Sequence, residues 1–308
     1  MPIKLDWIDQ AGPADSHKVY RSLTKIDPGN LGTPLATLGG GVTTYTDNTV
    51  QRNVTYHYVV TSIIGEDEAP SAEYVIAYIP YTGPGPQTLL RGNWEYGYFG
   101  RVPLEDILSS TELIQATDQP VGSPNGAANY WFKIVYKGKI LFFPKDHVAL
   151  GISFSNLYKA GCVYGNIPSA NWPTAVKTYL GTIPQGRIIK SQSHQFVVRL
   201  PTSRADMLST GSASVDQRGG EIDTIFAAMY LVREFNTDNI PTFDDNLVTA
   251  SSVRFMTTDW LSGSGTGQIM VTRTNNLAGN LDSVTPTGTG LSIDSASGYW
   301  LPVLELVT

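Results

Sequence analysis

The chain has 308 residues, of which 41% are hydrophobic and 16% charged, with a formal net charge of −6. That apolar share fills a core, and the low charge excludes a disordered polyelectrolyte. The acidic balance without a basic patch excludes a protein that grips a phosphate backbone, so no nucleic acid is expected as partner. The single cysteine, Cys162, excludes an internal disulfide framework. Thirty Gly, nineteen Pro and sixteen Tyr point to turns and strands rather than long helices. The opening MPIKLDWIDQ has no apolar signal region, and no apolar run reaches the length of a membrane span, so no membrane insertion is expected. The length predicts about two domains.

Residues 1–80 read as short strands between turn signals. Ile3–Ile8 alternates, with Ile3, Leu5 and Trp7 on one side. His17–Ser22 follows a polar turn, Thr43–Asp47 precedes NTVQRN, Val54–Ile64 alternates strongly, 65–70 is a turn, and Ala72–Ile79 is the last strand. Strands at this spacing predict a β-sandwich. LDW, KVYRS and YTDNTVQRNVTYHYVVTSIIGEDEAPSA together resemble a fibronectin type III domain. The resemblance implies a core Trp at Trp7, a corner tyrosine at Tyr56, and inward Tyr58 and Val60. The family's strand before the Trp strand is missing or shortened here. An exposed sheet edge follows, expected to be covered by a neighbouring subunit or another segment.

Residues 81–88 (YTGPGPQT) read as a short, stiff Pro/Gly linker. Everything after it, 89–308, reads as one mixed α/β domain with short helices. GNWEYGYFG at 92–100 is a tightly packed strand. Pro103 with Leu104-Glu105-Asp106-Ile107-Leu108 reads as a helix start. A polar loop covers 117–129. Phe132–Tyr136 and Lys139–Phe143 flank Lys137-Gly138 as a hairpin. The register places Phe132 opposite Phe143, Ile134 opposite Leu141 and Tyr136 opposite Lys139. Phe132, Ile134, Tyr136, Leu141 and Phe143 then share one face, and Val135, Ile140 and Phe142 the other. Two apolar faces predict a central hairpin, ended by Pro144. One face is expected to pack the domain's helices, the 219–232 segment among them. Ser153 or Ser155 caps a short helix to Ala160, stopped by Gly161, and 174–180 is helical. Gln195–Pro201 is a strand. Gly219–Val232 is the best helix, with Ile222, Ile225, Phe226 and Met229 in one stripe. Val253–Met256, Ile269–Thr272 and Tyr299–Leu306 read as strands, with surface loops over 273–297.

The order KGKILFFPK, ISFSNLYKAGCVYG, VVRLP, GGEIDTIF and GYWLPVLELV resembles a domain of virion and tail-associated proteins of tailed bacteriophages. In that family Trp more often follows the Glu of the fourth piece, where Ile222 and Asp223 stand here. Arg more often precedes the Pro of the last piece, where Leu301 stands.

Among chemistry-bearing residues, His17, His57, His147 and His194 have no metal spacing. The loop 236–247 offers oxygens to a cation but lacks an EF-hand register. Gly263–Gly267 lacks the lysine of a phosphate loop. Glu95, Asp106, Glu221 and Asp223 are the carboxylates a glycosidase would need, but Glu221 and Asp223 suit the helix dipole better. Trp94, Tyr96, Tyr98, Phe99, Trp172 and Trp300 are the candidate interface or sugar-stacking aromatics.

These features predict a mainly β, non-enzymatic protein without metal or cofactor. The resemblance implies a virion component made in the host cytoplasm and released by lysis. It would be tail-associated (sheath, sleeve, fibre or appendage) and built from a symmetric homo-oligomer with other virion proteins. The alternatives are a binder of host-surface polysaccharide and a capsid decoration protein.

Overall fold

The structure is a computed structural model. It describes residues 2–9, 12–79, 81–118, 122–126, 128–202, 221, 254–261, 269–274, 291–292, 294 and 298–307. The protein is mainly β, with several antiparallel sheets.

The first unit contains β1 (Ile3–Asp6), β2 (Ser16–Ser22), β3 (Ala36–Gly39), β4 (Thr44–Asp47), β5 (Thr55–Ile64), β6 (Asp67–Pro70) and β7 (Tyr74–Ala77). β1 pairs with β4 in one sheet; β3, β2, β5 and β6 form the other, and β7 also pairs with β5. Ile3 and Leu5 of β1 pack against Val19, Tyr56, Tyr58 and Val60 of the larger sheet. Strands β3 and β6 have no counterpart in the sequence reading. All four residues of β6 are exposed, so it carries no alternation, and it lies where a turn was expected. Trp7 is half-buried and meets His17 edge-on, with ring centroids 5.3 Å apart. Asp47 is buried at the end of β4. It accepts from Tyr58 Oη and Arg21 Nη1, each at 2.8 Å, and from Thr49 N and Oγ1 at 2.8 and 2.7 Å. Burial alone would raise its pKa, but these donors hold the carboxyl below its ordinary range.

The 81–88 connection is a packed strap. Thr82, Gly83 and Pro84 are buried. Gly83 and Gly85 adopt φ of 80° and 77°. A Cβ at Gly83 would lie 3.0 Å from Leu306, and one at Gly85 2.4 Å from Val102. Only glycine combines that backbone with that approach. Gln87 ties the strap to itself, donating from Nε2 to Gly83 O and Gly85 O at 2.8 and 2.7 Å.

After the strap come β8 (Arg91–Gly92), β9 (Tyr96–Pro103), α1 (Ser110–Ala116), β10 (Ser123–Pro124), β11 (Tyr130–Tyr136), β12 (Lys139–Pro144) and β13 (Ala149–Ile152). Then follow α2 (Phe154–Lys159), α3 (Thr174–Leu180), β14 (Ile188–Ser191), β15 (His194–Arg199), β16 (Arg254–Leu261), β17 (Ile269–Thr274), β18 (Leu291–Ser292), β19 (Gly298–Trp300) and β20 (Val303–Leu306). The helix expected over 219–232 lies outside the described residues except for Glu221, which is helical.

A seven-stranded sheet runs β14-β15-β20-β12-β11-β9-β8, and a six-stranded one β10-β13-β19-β16-β17-β18. The β11–β12 hairpin is central and has the expected register, Phe132 to Phe143, Ile134 to Leu141 and Tyr136 to Lys139. Its turn residues Lys137 and Gly138 both take positive φ, 50° and 76°, which matches the twist of a tight hairpin. Val135, Ile140 and Phe142 pack with Leu113 of α1, Phe154, Leu157 and Tyr158 of α2, and Val176 of α3. Phe132, Ile134, Leu141 and Phe143 pack on the other face with Tyr98, Leu301 and Val303. Both faces are buried.

Three expectations need correction. The strand expected over 92–100 is a hairpin, with β8 ending at Gly92 and β9 starting at Tyr96. Leu104–Asp106 is only a 3-10 turn, and the helix begins at Ser110. Ser109 caps it, and Glu112 returns a carboxylate to Ser109 N at 2.7 Å, a full capping box. The acids after Pro103 drew the start too early. The strand expected over 299–306 is two strands in two sheets. β19 pairs with β13, β20 pairs with β12 and β15, and Leu301-Pro302 carries the chain across. An unbroken apolar run hid the change, because both segments are buried.

Candidate functional site

The six candidate aromatics divide by burial. Phe99 and Trp300 are fully buried, and Trp172 and Tyr98 nearly so. Trp172 stacks on Tyr164 (5.2 Å) and meets Tyr158 edge-on (6.2 Å), while Nε1 donates to Ile167 O at 2.8 Å. That ring and its partners pack the core beside α2. Trp94 and Tyr96 keep part of their surface. Trp94 meets Phe99 edge-on at 5.7 Å, and Tyr96 lies 5.7 Å from Tyr136. The sheet therefore brings Tyr96 and Tyr98 together and leaves Trp172 and Trp300 elsewhere.

Strand parity adds residues that the sequence reading did not single out. Tyr130, Phe132, Ile134 and Tyr136 alternate onto the face that carries Tyr96 and Tyr98. Arg101 lies over the Tyr130 ring at 4.8 Å, Lys145 lies 5.4 Å from it, and Phe132 meets it edge-on at 5.2 Å. A partly exposed tyrosine with two cations near its ring suits an anionic or hydroxyl-rich group. Burial pushes the Tyr98 hydroxyl up to about 12, so it acts there as a neutral donor.

The buried charges are engaged in closed sets. Arg199 donates to Glu221 through Nη1 and Nη2 at 2.7 and 2.6 Å, and through Nε to Glu305 at 3.2 Å. Glu305 also receives Lys139 Nζ at 2.7 Å. Burial would raise the Glu305 carboxyl, but Arg199 and Lys139 outweigh it and hold its pKa below the ordinary value. Glu221, one of the four carboxylates considered for glycan hydrolysis, is thus a bidentate ion-pair partner. Glu95 and Asp106 are half-buried, and Asp223 lies outside the described residues. The loop 236–247 and Gly263–Gly267 also lie outside them.

Among the described buried charges, Lys133 has no carboxylate partner. Parity places it between Trp131 and Val135 on the core face, fully buried. Its Nζ donates to Thr82 Oγ1 at 2.8 Å, Pro86 O at 2.6 Å and Gly83 O at 3.4 Å, all on the strap. It lies 4.9 Å from the Phe99 ring. Burial without a carboxylate lowers its pKa to about 7.

Each histidine has a local partner. His17 lies near Ser62 and Gly40 O, His57 near Glu73, His147 near Asp146 and Asn125, and Tyr81 stacks on His194. Among the described residues no three His, Cys, Asp or Glu side chains are placed to hold a metal ion. Burial pushes the Cys162 thiol up to about 12, away from reactivity. A cleft of about 500 Å³ lies between α1 and the β14–β15 hairpin, lined by Leu104, Ile107, Glu112 and Lys190 among others. Ser191 and Gln192, which also line it, donate to Ile107 O and Glu105 O. No described helix is long and apolar enough to cross a membrane.

Compared with known proteins, the chain matches no family model, no curated protein and no solved structure.

Proposed function

We propose that this protein is a structural subunit of a bacteriophage virion, tail-associated, which works by assembling with copies of itself. Its N-terminal unit, in this reading, is a fibronectin type III sandwich whose described strands begin with the one leading to Trp7. The pairing β1–β4 against β3–β2–β5 with β6 and β7 supports that assignment. So does the Tyr56 hydroxyl, which accepts from Gln51 N at 2.8 Å, five residues upstream, as a corner tyrosine does.

One observation carries the assembly reading. The apolar face of the larger N-terminal sheet is only partly covered. Ile76 and Tyr74 of β7 lie opposite Tyr56 and Tyr58 of β5 and share their face. Tyr56 and Tyr58 are buried, while Tyr74 and Ile76, like Ala36 and Leu38 on β3, pack against that core but keep part of their surface. Apolar residues that keep some surface beside a strand edge unpaired among the described residues are the kind of surface that a repeated subunit closes. The test is two-fold. Peptides of this chain should appear in stoichiometric amounts in purified particles of its source phage, and native mass spectrometry of the purified chain should give a defined oligomer. A monomer absent from particles would sink the proposal.

A second reading, binding of host polysaccharide, rests on Tyr130 with Arg101 and Lys145 near its ring. It predicts a glycan-array signal that Tyr130→Ala removes.

A further inference from the structure

Among the described residues β1 pairs only with β4, placing Ile3 opposite Asp47 and Leu5 opposite Tyr45. One step beyond, Trp7 N donates to Thr43 O at 3.0 Å. Hydrogen-bonded and non-hydrogen-bonded positions alternate along an antiparallel pair. Ile3, Leu5 and Trp7 therefore direct their main-chain groups to β4, and Lys4 and Asp6 direct theirs to the open side. The Lys4 and Asp6 side chains are 61% and 64% exposed and lie 2.9 Å apart. The strand has no internal proline and no bulge in its register with β4, so no backbone feature blocks its free edge.

We propose that two copies of this chain pair edge to edge through β1, antiparallel about a two-fold axis at Leu5. The two small sheets then join into one four-stranded sheet, β4-β1 of one copy continuing into β1-β4 of the other. In that register Lys4 of each copy faces Asp6 of the other. These are the residues with free main-chain groups, so each pair exchanges both N–H···O bonds and sets opposite charges side by side. Sliding the register by two residues puts Lys4 against Lys4 or Asp6 against Asp6. Sliding it by one puts free groups against groups already spent on β4. The sequence Ile3-Lys4-Leu5-Asp6 is thus self-complementary in one register, as a two-fold interface requires. One step outward, Ile8, 85% exposed, comes to lie opposite Pro2 of the second copy.

This inference rests on the homo-oligomer reading, and the experiment separates the two. Sedimentation velocity of the full chain should show a dimer or a higher even-numbered species. Lys4→Asp and Asp6→Lys each place like charges opposite one another twice and should weaken self-association about tenfold. Mixing the two variants should restore a mixed dimer, because every facing pair is then of opposite charge. Lys4→Pro removes a donor that points away from β4 and should give a monomer; its thermal unfolding, followed by circular dichroism, shows whether that monomer is folded. If it unfolds, the mixing experiment decides. An oligomer insensitive to all these changes, or a mixture that does not re-associate, overturns the β1 pairing and leaves the assembly reading standing with its interface elsewhere. A chain monomeric at every concentration overturns both.

Discussion

An ammonium group buried beneath a main-chain strap registers in the pH dependence of folding. Lys133 has a folded pKa of about 7, and an unfolded lysine titrates near 10.4. Between those values the unfolded chain holds a proton that the folded chain has released. Stability therefore rises with pH through that window, and below about pH 7 the full cost of burying the charge applies. Lys133→Met should lack this rise, so the difference between variant and wild type should change by a few kcal/mol between pH 6 and 9, read from urea midpoints. Equal slopes would contradict the assigned environment. Arg199 makes the opposite case. Arg199→Met strips Glu221 of both its guanidinium bonds in a buried site and should cost about 3–5 kcal/mol in urea unfolding at pH 7. Neither residue announces this from sequence. Lys133 had one signal, a lysine at apolar parity between Trp131 and Val135. The pairing of Arg199 with Glu221 and Glu305 bridges distant segments that no local pattern links.

At the scale of elements, local chemistry was the legible part. The β11–β12 register followed from two-faced alternation and from Lys137-Gly138, and the α2 cap was narrowed to Ser153 or Ser155; it is Ser153, whose Oγ accepts from Asn156 N at 3.1 Å. What local patterns missed were elements whose reasons are tertiary. β6 exists because the exposed Asp67–Pro70 segment finds the end of β5, and β19 and β20 separate because two sheets compete for one apolar run. The start of α1 was readable, since Ser109 and Glu112 spell a capping box. Ser109→Ala should destabilise the protein by about 1 kcal/mol, measured as a shift in the urea midpoint at unchanged slope. Of the six candidate aromatics, the residue types alone could not separate core from surface. Trp172 became buried against Tyr158 and Tyr164 just upstream, and Trp300 through pairing with the distant β13.

For the molecule as a whole, the strap decides how the two units are joined. A Pro/Gly stretch reads as a stiff linker between units, yet residues 82–84 are buried, and Lys133 and Gln87 bind the strap's carbonyls. Limited proteolysis should therefore leave 81–88 intact in the wild type. Gln87→Ala removes two donors to the strap and should expose it, giving fragments that separate at that segment within a digestion time that spares the parent chain. Wild-type cleavage there at the same rate would contradict a docked strap.

The crossing at Leu301-Pro302 has a consequence for biosynthesis. β20 lies between β12 and β15, so the seven-stranded sheet remains in two pieces until residues 303–306 become available. While the ribosome still holds that stretch, the inner edges of β12 and β15 are bare and flanked by Phe142 and Val198. The first seven strands depend on nothing so distant and are free to fold as soon as they emerge. Synthesis thus yields a finished N-terminal unit tethered to an open, adhesive sheet. The interval before β20 docks is the time when this chain most needs protection from its own neighbours on the polysome.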